Sequence, residues 1–169
     1  MKRIGSGQWS VVSRQWSAYN SRVVSYNPAC PQDSRCSMPD ASKQFIKAAK
    51  SGDVEKLRVL LDADANLIHA RDTDGSTALH CATWKGHQAV VTFLLSAGAN
   101  VNIHSNNEHW GTTPLHAAAH ANQAAIAQML IENGADVNAQ DKNGKTPLHH
   151  TTFHKAKAAA KVLQNNGAS

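Results

Sequence analysis

The sequence predicts an all-α solenoid of about four stacked helix–turn–helix units with β-turn fingers between them. Three observations carry this. A Thr-(Pro/Ala)-Leu-His element recurs, a Gly-Ala-x-Val-Asn element recurs in step with it, and an apolar stripe of helical period lies between the two. The Leu-His pairs fall at 79/80, 115/116 and 148/149, at intervals of 36 and 33 residues. The glycines opening "GANVN", "GADVN" and "GAS" stand at 98, 134 and 167, again 36 and 33 apart. A degenerate earlier copy, "FIKAAKSGDVEKLRVLLDADANLIHARDTDG", sets Leu60-Leu61 34 residues before Leu94-Leu95. With such a period, one unit is a supersecondary element whose apolar face is covered only by its neighbours.

Each element has a local reason. Thr113 and Thr146 are suited to helix N-caps, and Pro114 and Pro147 then occupy the first helical position, where a missing N–H costs nothing. "LHAAA" from Leu115 gives a short first helix whose alanines let a neighbour approach closely. The second helix has apolar residues at i, i+3 and i+4: Val90, Phe93 and Leu94 in one unit, Ile126, Met129 and Leu130 in the next. Gly98 and Gly134 suit the left-handed residue that closes a helix.

"GSTALHCATWKGH" from Gly75, "GTTPLHAAAHANQ" from Gly111 and "GKTPLHHTTFHKA" from Gly144 together resemble the ankyrin-repeat family over residues 40–169. The units then run at about 40–73, 74–109, 110–142 and 143–169. The resemblance implies that His80, His116 and His149 are structural, bonding between turn and helix. It also implies a concave strip of finger tips and first-helix ends that contacts a protein partner. The terminal units read as caps. The first replaces Leu-His by Phe45-Ile46 and carries Lys43, Lys47 and Lys50, and the last has Thr151-Thr152 and a lysine- and amide-rich second helix.

Carried over position by position, the strip contains a column of Lys50, Trp84, His120 and Phe153, flanked by Lys85 and His154. Finger positions include Arg71, Thr73, Asp74 and Ser76 in the second unit and Gln140, Lys142, Asn143 and Lys145 in the fourth. The longer 36-residue interval places its extra residues in "NIHSNNEHWG", a lengthened finger bearing His104, Glu108, His109 and Trp110. The candidate partner-binding residues are therefore Lys50, Trp84, Lys85, His109, Trp110, His120, Lys142, Lys145, Phe153 and His154. Trp84, Phe153 and Trp110 are the expected anchors, because buried aromatics dominate interface energies, and the lysines favour an acidic rim.

The remaining chemistry is sparse. No H-E-x-x-H, G-x-S-x-G, phosphate-binding loop or dinucleotide glycine fingerprint occurs, so no catalytic or cofactor-binding residue is assigned. The i, i+4 pairs His116/His120 and His150/His154 are expected to take divalent metal only weakly, and no metal site is assigned. Cys30, Cys36 and Cys81 are too few for a disulfide framework, and Cys81 falls in an apolar helical pattern as a small buried thiol.

Charge and the leader bound the partners. Residues 1–39 hold five bases and Asp33 alone as acid, which leaves twelve bases and eleven acids for the rest of the chain. A near-neutral body argues against nucleic acid as partner. In the serine-rich leader, Trp9, Val12, Trp16, Tyr19, Val23 and Tyr26 follow heptad spacing. It reads as a flexible tail, a cleavable targeting segment or a docking helix. No apolar run is long enough for a membrane span. The expectation is a non-enzymatic, monomeric, cytoplasmic interaction module that binds a protein. An inhibitory or regulatory subunit covering an enzyme's active site is the alternative function; an organelle reached through the leader, or the nucleus, is the alternative location.

Overall fold

A computed structural model describes residues 38–106, 111–153 and 155–169. The chain divides into residues 1–36 and 37–169, and all of the described residues lie in the second part. Residues 1–37 of the leader, its heptad stripe included, lie outside the described residues, and Met38 and Pro39 open the first helix.

Eight α-helices are described: α1 (Met38–Ser51), α2 (Val54–Ala63), α3 (Ala78–Lys85), α4 (Gln88–Ser96), α5 (Pro114–His120), α6 (Ala124–Glu132), α7 (Pro147–Phe153) and α8 (Lys157–Asn165). They form four antiparallel pairs. The first helices α1, α3, α5 and α7 pack in one row and the second helices α2, α4, α6 and α8 in another. A 3-10 turn, Ala65–His69, ends the first pair. Among the described residues there is no strand, only an isolated bridge between Arg71 and Thr77 at the base of a finger.

The core lies between the two rows. Phe45, Leu57, Leu79, Leu94, Leu115, Ile126, Leu130 and Leu163 are fully buried, one or two from nearly every helix. At about 25 cal/mol per Å² of apolar surface, each contributes roughly 1.5–3 kcal/mol. Of the predicted stripes, Val90, Leu94, Ile126 and Leu130 are buried, while Phe93 and Met129 are half-buried at the edge. The small residues Ala82, Ala118 and Ala119 are buried where the first helices cross.

Gly98 and Gly134 close the second helices at φ 88° and 86°, as the sequence implies. The first helices are closed in the same left-handed conformation, yet Asn122 (φ 55°) and Lys155 (φ 53°) stand where Gly52 and Gly86 do in the first two units. Asn122 recovers part of the strain because its Oδ1 accepts the Ala159 N–H at 3.2 Å. Between units, Asn102 donates from Nδ2 to the Gly134 carbonyl at 3.0 Å and accepts the Asp136 N–H at 2.8 Å. Asn138 repeats this one unit later, accepting from the Ser169 N–H at 3.0 Å.

Candidate functional site: the concave groove

Each finger is built around one acceptor. Asp72 Oδ1 accepts the Asp74 and Ser76 N–H groups at 3.0 and 2.9 Å, and Asp141 Oδ1 accepts those of Asn143 and Lys145 at 2.8 and 2.9 Å. A short carboxylate bonding its own backbone two and four residues on is a standard way to close a turn. In the third unit Ser105 takes this place, and its Oγ accepts the Thr112 N–H at 3.1 Å. Neighbouring fingers are tied through Arg71, whose Nη1 donates to the carbonyls of Gly75 at 2.7 Å and His104 at 2.9 Å. Gly75 must be a glycine, since its φ is 70° and a Cβ would lie 2.8 Å from the Asn106 backbone.

The histidines next to the leucines hold finger to helix and unit to unit. The Thr77 N–H donates to His80 Nδ1 at 3.3 Å, the Thr77 hydroxyl lies 2.9 Å from the same nitrogen, and Nε2 donates to the Thr112 carbonyl at 2.8 Å. His116 repeats the pattern with Thr113 and the Lys145 carbonyl at 3.0 Å. A ring that accepts on Nδ1 and donates from Nε2 is neutral. Burial first of all pushes both pKa values down to about 4, against the smaller opposing effect of the bonded carbonyl. His149 keeps the Thr146 contact at 2.9 Å, but its ring is exposed.

His116 thus commits both ring nitrogens to the backbone and its cap, so the His116/His120 pair does not offer two imidazoles to a metal. His150 is also engaged, with Nε2 3.0 Å from Asp141 Oδ2. His154 lies outside the described residues. Among the described residues no group of three or more His, Cys, Asp or Glu side chains is placed to hold a metal ion.

Fingers and first helices together enclose a groove of about 1120 Å³. The fingers contribute Asp74, Ser76, Asn143 and Lys145, and the ends of the first helices contribute Lys50, Trp84, Lys85 and His120. Cys81 and Ala117 form its floor, nearly buried at 8% and 6% exposure. Burial pushes the Cys81 thiol up to about 12, far from the range of a reactive thiolate.

The predicted site residues fall on this map as follows. Trp84 is 47% exposed, and its ring centroid lies 4.5 Å from that of His120, which is half-buried. Lys85, Lys142 and Lys145 are exposed. Lys50, expected from sequence in the partner-binding column, reaches across to the second finger and pairs with Asp72 Oδ2 at 3.0 Å. That bond raises the Lys50 pKa; at Asp72 burial works upward, but Lys50 and the turn N–H groups outweigh it and hold the carboxyl below its usual range. His109, Trp110, His154 and the Phe153 side chain lie outside the described residues.

The pair Asp141–His150 was not identified from sequence. Asp141 is buried, and although burial works upward, its turn N–H groups and His150 hold its carboxyl low. His150 also sits edge-on to His116 at a centroid distance of 5.1 Å. A signal did exist: His150 occupies the repeat position of Cys81 and Ala117, and Asp141 that of Asp72. Two residues coinciding on one unit's finger and helix would have placed them face to face.

Paired helices stacked in register, with fingers arching over a groove, define a repeat solenoid built for surface recognition. The comparisons then name the family. A model of the family described as ankyrin repeats (3 copies) matches residues 17–105 and 100–169, and the chain belongs to the ankyrin-repeat family. The match begins upstream of residue 40, the start of the first unit by its sequence motifs. The chain is 38% identical over 73 residues to oxysterol-binding protein-related protein 1 of Rattus norvegicus, covering 38% of this chain and 8% of that protein. It is 39% identical over 61 residues to transient receptor potential cation channel subfamily A member 1 of Homo sapiens, covering 36% and 6%. It is 46% identical over 54 residues to serine/threonine-protein kinase VIK of Arabidopsis thaliana, covering 32% and 12%. In each, the matched stretch is a small part of a much longer protein. Ankyrin repeats are in general protein–protein interaction modules and typically non-enzymatic. Among the described residues no helix is long and apolar enough to cross a membrane.

Proposed function

We infer that the chain works as a non-enzymatic interaction module, binding a protein partner through the concave groove and its fingers. One observation carries this. Trp84 and Val59 are the large apolar side chains exposed among the described residues, and only Trp84 lines the groove. An indole left half in water at the mouth of a groove has apolar area still to bury, which is the signature of an interface anchor. Lys85 and Lys145 line the same groove and are exposed, which favours an acidic rim on the partner.

The test is affinity capture with the wild-type chain beside a Trp84→Ala/Phe153→Ala double variant whose circular dichroism is unchanged. Proteins captured by the wild type and lost with the variant support the concave face as the binding site. Two identical sets of captured proteins, from two folded chains, overturn it.

A further inference from the structure

The groove has a shape and a charge pattern more specific than its general role requires. Three groups occupy equivalent repeat positions along its inner row: Cys81, Ala117 and His150. The first two are small and nearly flush with the helix surface, and the third is an imidazole held in place by Asp141 at 3.0 Å. The floor is therefore low over the second and third units and steps up at the fourth. Trp84 and His120 stand beside the low part, with ring centroids 4.5 Å apart and planes inclined at 56°. An apolar slot closed at one end by His150 and walled by two rings is a receptacle for one bulky side chain.

The charges around it are not equivalent. Lys50 and Asp72 satisfy each other at 3.0 Å, and Asp141 is engaged by His150. Lys85 and Lys145 also line the groove and are exposed, and among the described residues no carboxylate lies within ion-pair distance of either. Among the described residues that line the groove, Asp74 on the second-unit finger is the remaining acid. Complementary charge is thus wanted at two places, beside the slot at Lys85 and at the fourth-unit finger at Lys145.

Resting on the concave-face reading above, we propose that the groove receives an extended acidic segment of the partner. One bulky apolar side chain of that segment seats against Trp84 and His120 over Cys81 and Ala117. Carboxylates near that anchor pair with Lys85 and Lys145. The lysines add rate and specificity more than raw affinity, as peripheral charges do, while the slot supplies the affinity.

The experiment selects binders to the full chain from a display library of random twelve-residue peptides. One selected peptide is then titrated, fluorescently labelled, against the wild type and three variants. The expected peptides carry one aromatic or large aliphatic residue flanked by Asp or Glu. Ala117→Leu, which fills the slot, is expected to weaken binding roughly tenfold or more, as is Trp84→Ala. Lys85→Glu/Lys145→Glu alters exposed residues only, so it tests the charge pattern even if the slot variant fails to fold. It is expected to weaken binding by roughly tenfold at low salt and by less at high salt. Basic consensus peptides, no enrichment, or affinities insensitive to the lysine reversal overturn the proposal. If basic or lysine-insensitive peptides still lose affinity on Trp84→Ala, the concave-face reading survives alone; if Trp84→Ala also has no effect on them, both fall.

Discussion

The second and fourth units share a backbone but use it differently. Both fingers are closed by an aspartate accepting two turn N–H groups, Asp72 in one and Asp141 in the other, at 2.8–3.0 Å. Both first helices open on a threonine whose hydroxyl lies 2.9 Å from the histidine three residues on. Beyond that they part. His80 is buried and reaches the Thr112 carbonyl of the next unit, whereas the His149 ring is exposed. The second oxygen of Asp72 holds Lys50 and the Cys81 thiol, and that of Asp141 holds His150. The turn and the cap satisfy backbone groups that every unit must satisfy, so they repeat. The outward-facing oxygen and the inner-row residue answer only to the groove, so they vary.

The largest effect that sharpens this contrast is acid. His80 and His116 titrate at about 4 when folded and near 6.5 when unfolded. Between those values the unfolded chain binds more protons, so stability is fully present above pH 6.5 and falls progressively toward pH 4. At 1.36 kcal/mol per unit, each histidine contributes on the order of 3 kcal/mol to that loss. Urea unfolding at pH 7.5, 6, 5 and 4.5 is expected to show a falling midpoint, and a flat profile across that range contradicts the neutral, buried assignment.

Replacing single histidines isolates the same contrast. His116→Ala leaves the Thr113 N–H and the Lys145 carbonyl without their ring partner inside the stack. It is expected to cost about 3 kcal/mol in denaturant unfolding, against less than about 1 kcal/mol for His149→Ala. Equal losses would mean that the inter-unit bond adds nothing. At the fingers, Asp141→Ala removes the acceptor of two turn N–H groups and the partner of His150. A cost of about 2 kcal/mol is expected, with lower hydrogen-exchange protection at Asn143 and Lys145.

The smallest effect has the opposite sign. Lys155 sits at φ 53° with a side chain, in the column where the first two units have glycine. Lys155→Gly is expected to stabilise by up to about 1 kcal/mol. Asn122→Gly is expected to be near neutral, because it also loses the bond to the Ala159 N–H. A destabilised Lys155→Gly variant would show that the lysine makes a compensating contact.

Most of the fold was legible because stacking imposes a period on the sequence. Thr-Pro at 113/114 and 146/147, the left-handed glycines at 98 and 134 and the stripes through Leu94 and Leu130 all answer local demands that recur in every unit. The histidines were legible for the same reason: a residue repeating at 80, 116 and 149 follows the stack rather than a reaction. The groove was legible only by column. Trp84 could be placed on the concave side from its register, but its pairing with His120 depends on how far two helices approach, which no spacing gives. The register put Lys50 in the partner-facing column, but no spacing shows that Asp72, 22 residues on, folds within reach of its ammonium. Asp141–His150 is hidden in the motif because His149 carries the repeating position, while the contact facing the groove is made by its neighbour His150.

The central claim is that the His80/His116 row holds the solenoid together while the half-exposed Trp84 indole serves the proposed partner rather than the packing. The most direct test is thermal unfolding of Trp84→Ala beside His116→Ala under identical conditions. The account predicts a small loss for Trp84→Ala, about 1 kcal/mol for its tilted ring contact with His120 and its half-buried face, against about 3 kcal/mol for His116→Ala. A Trp84→Ala melting temperature that falls as far as that of His116→Ala would make the indole a packing residue and contradict the account.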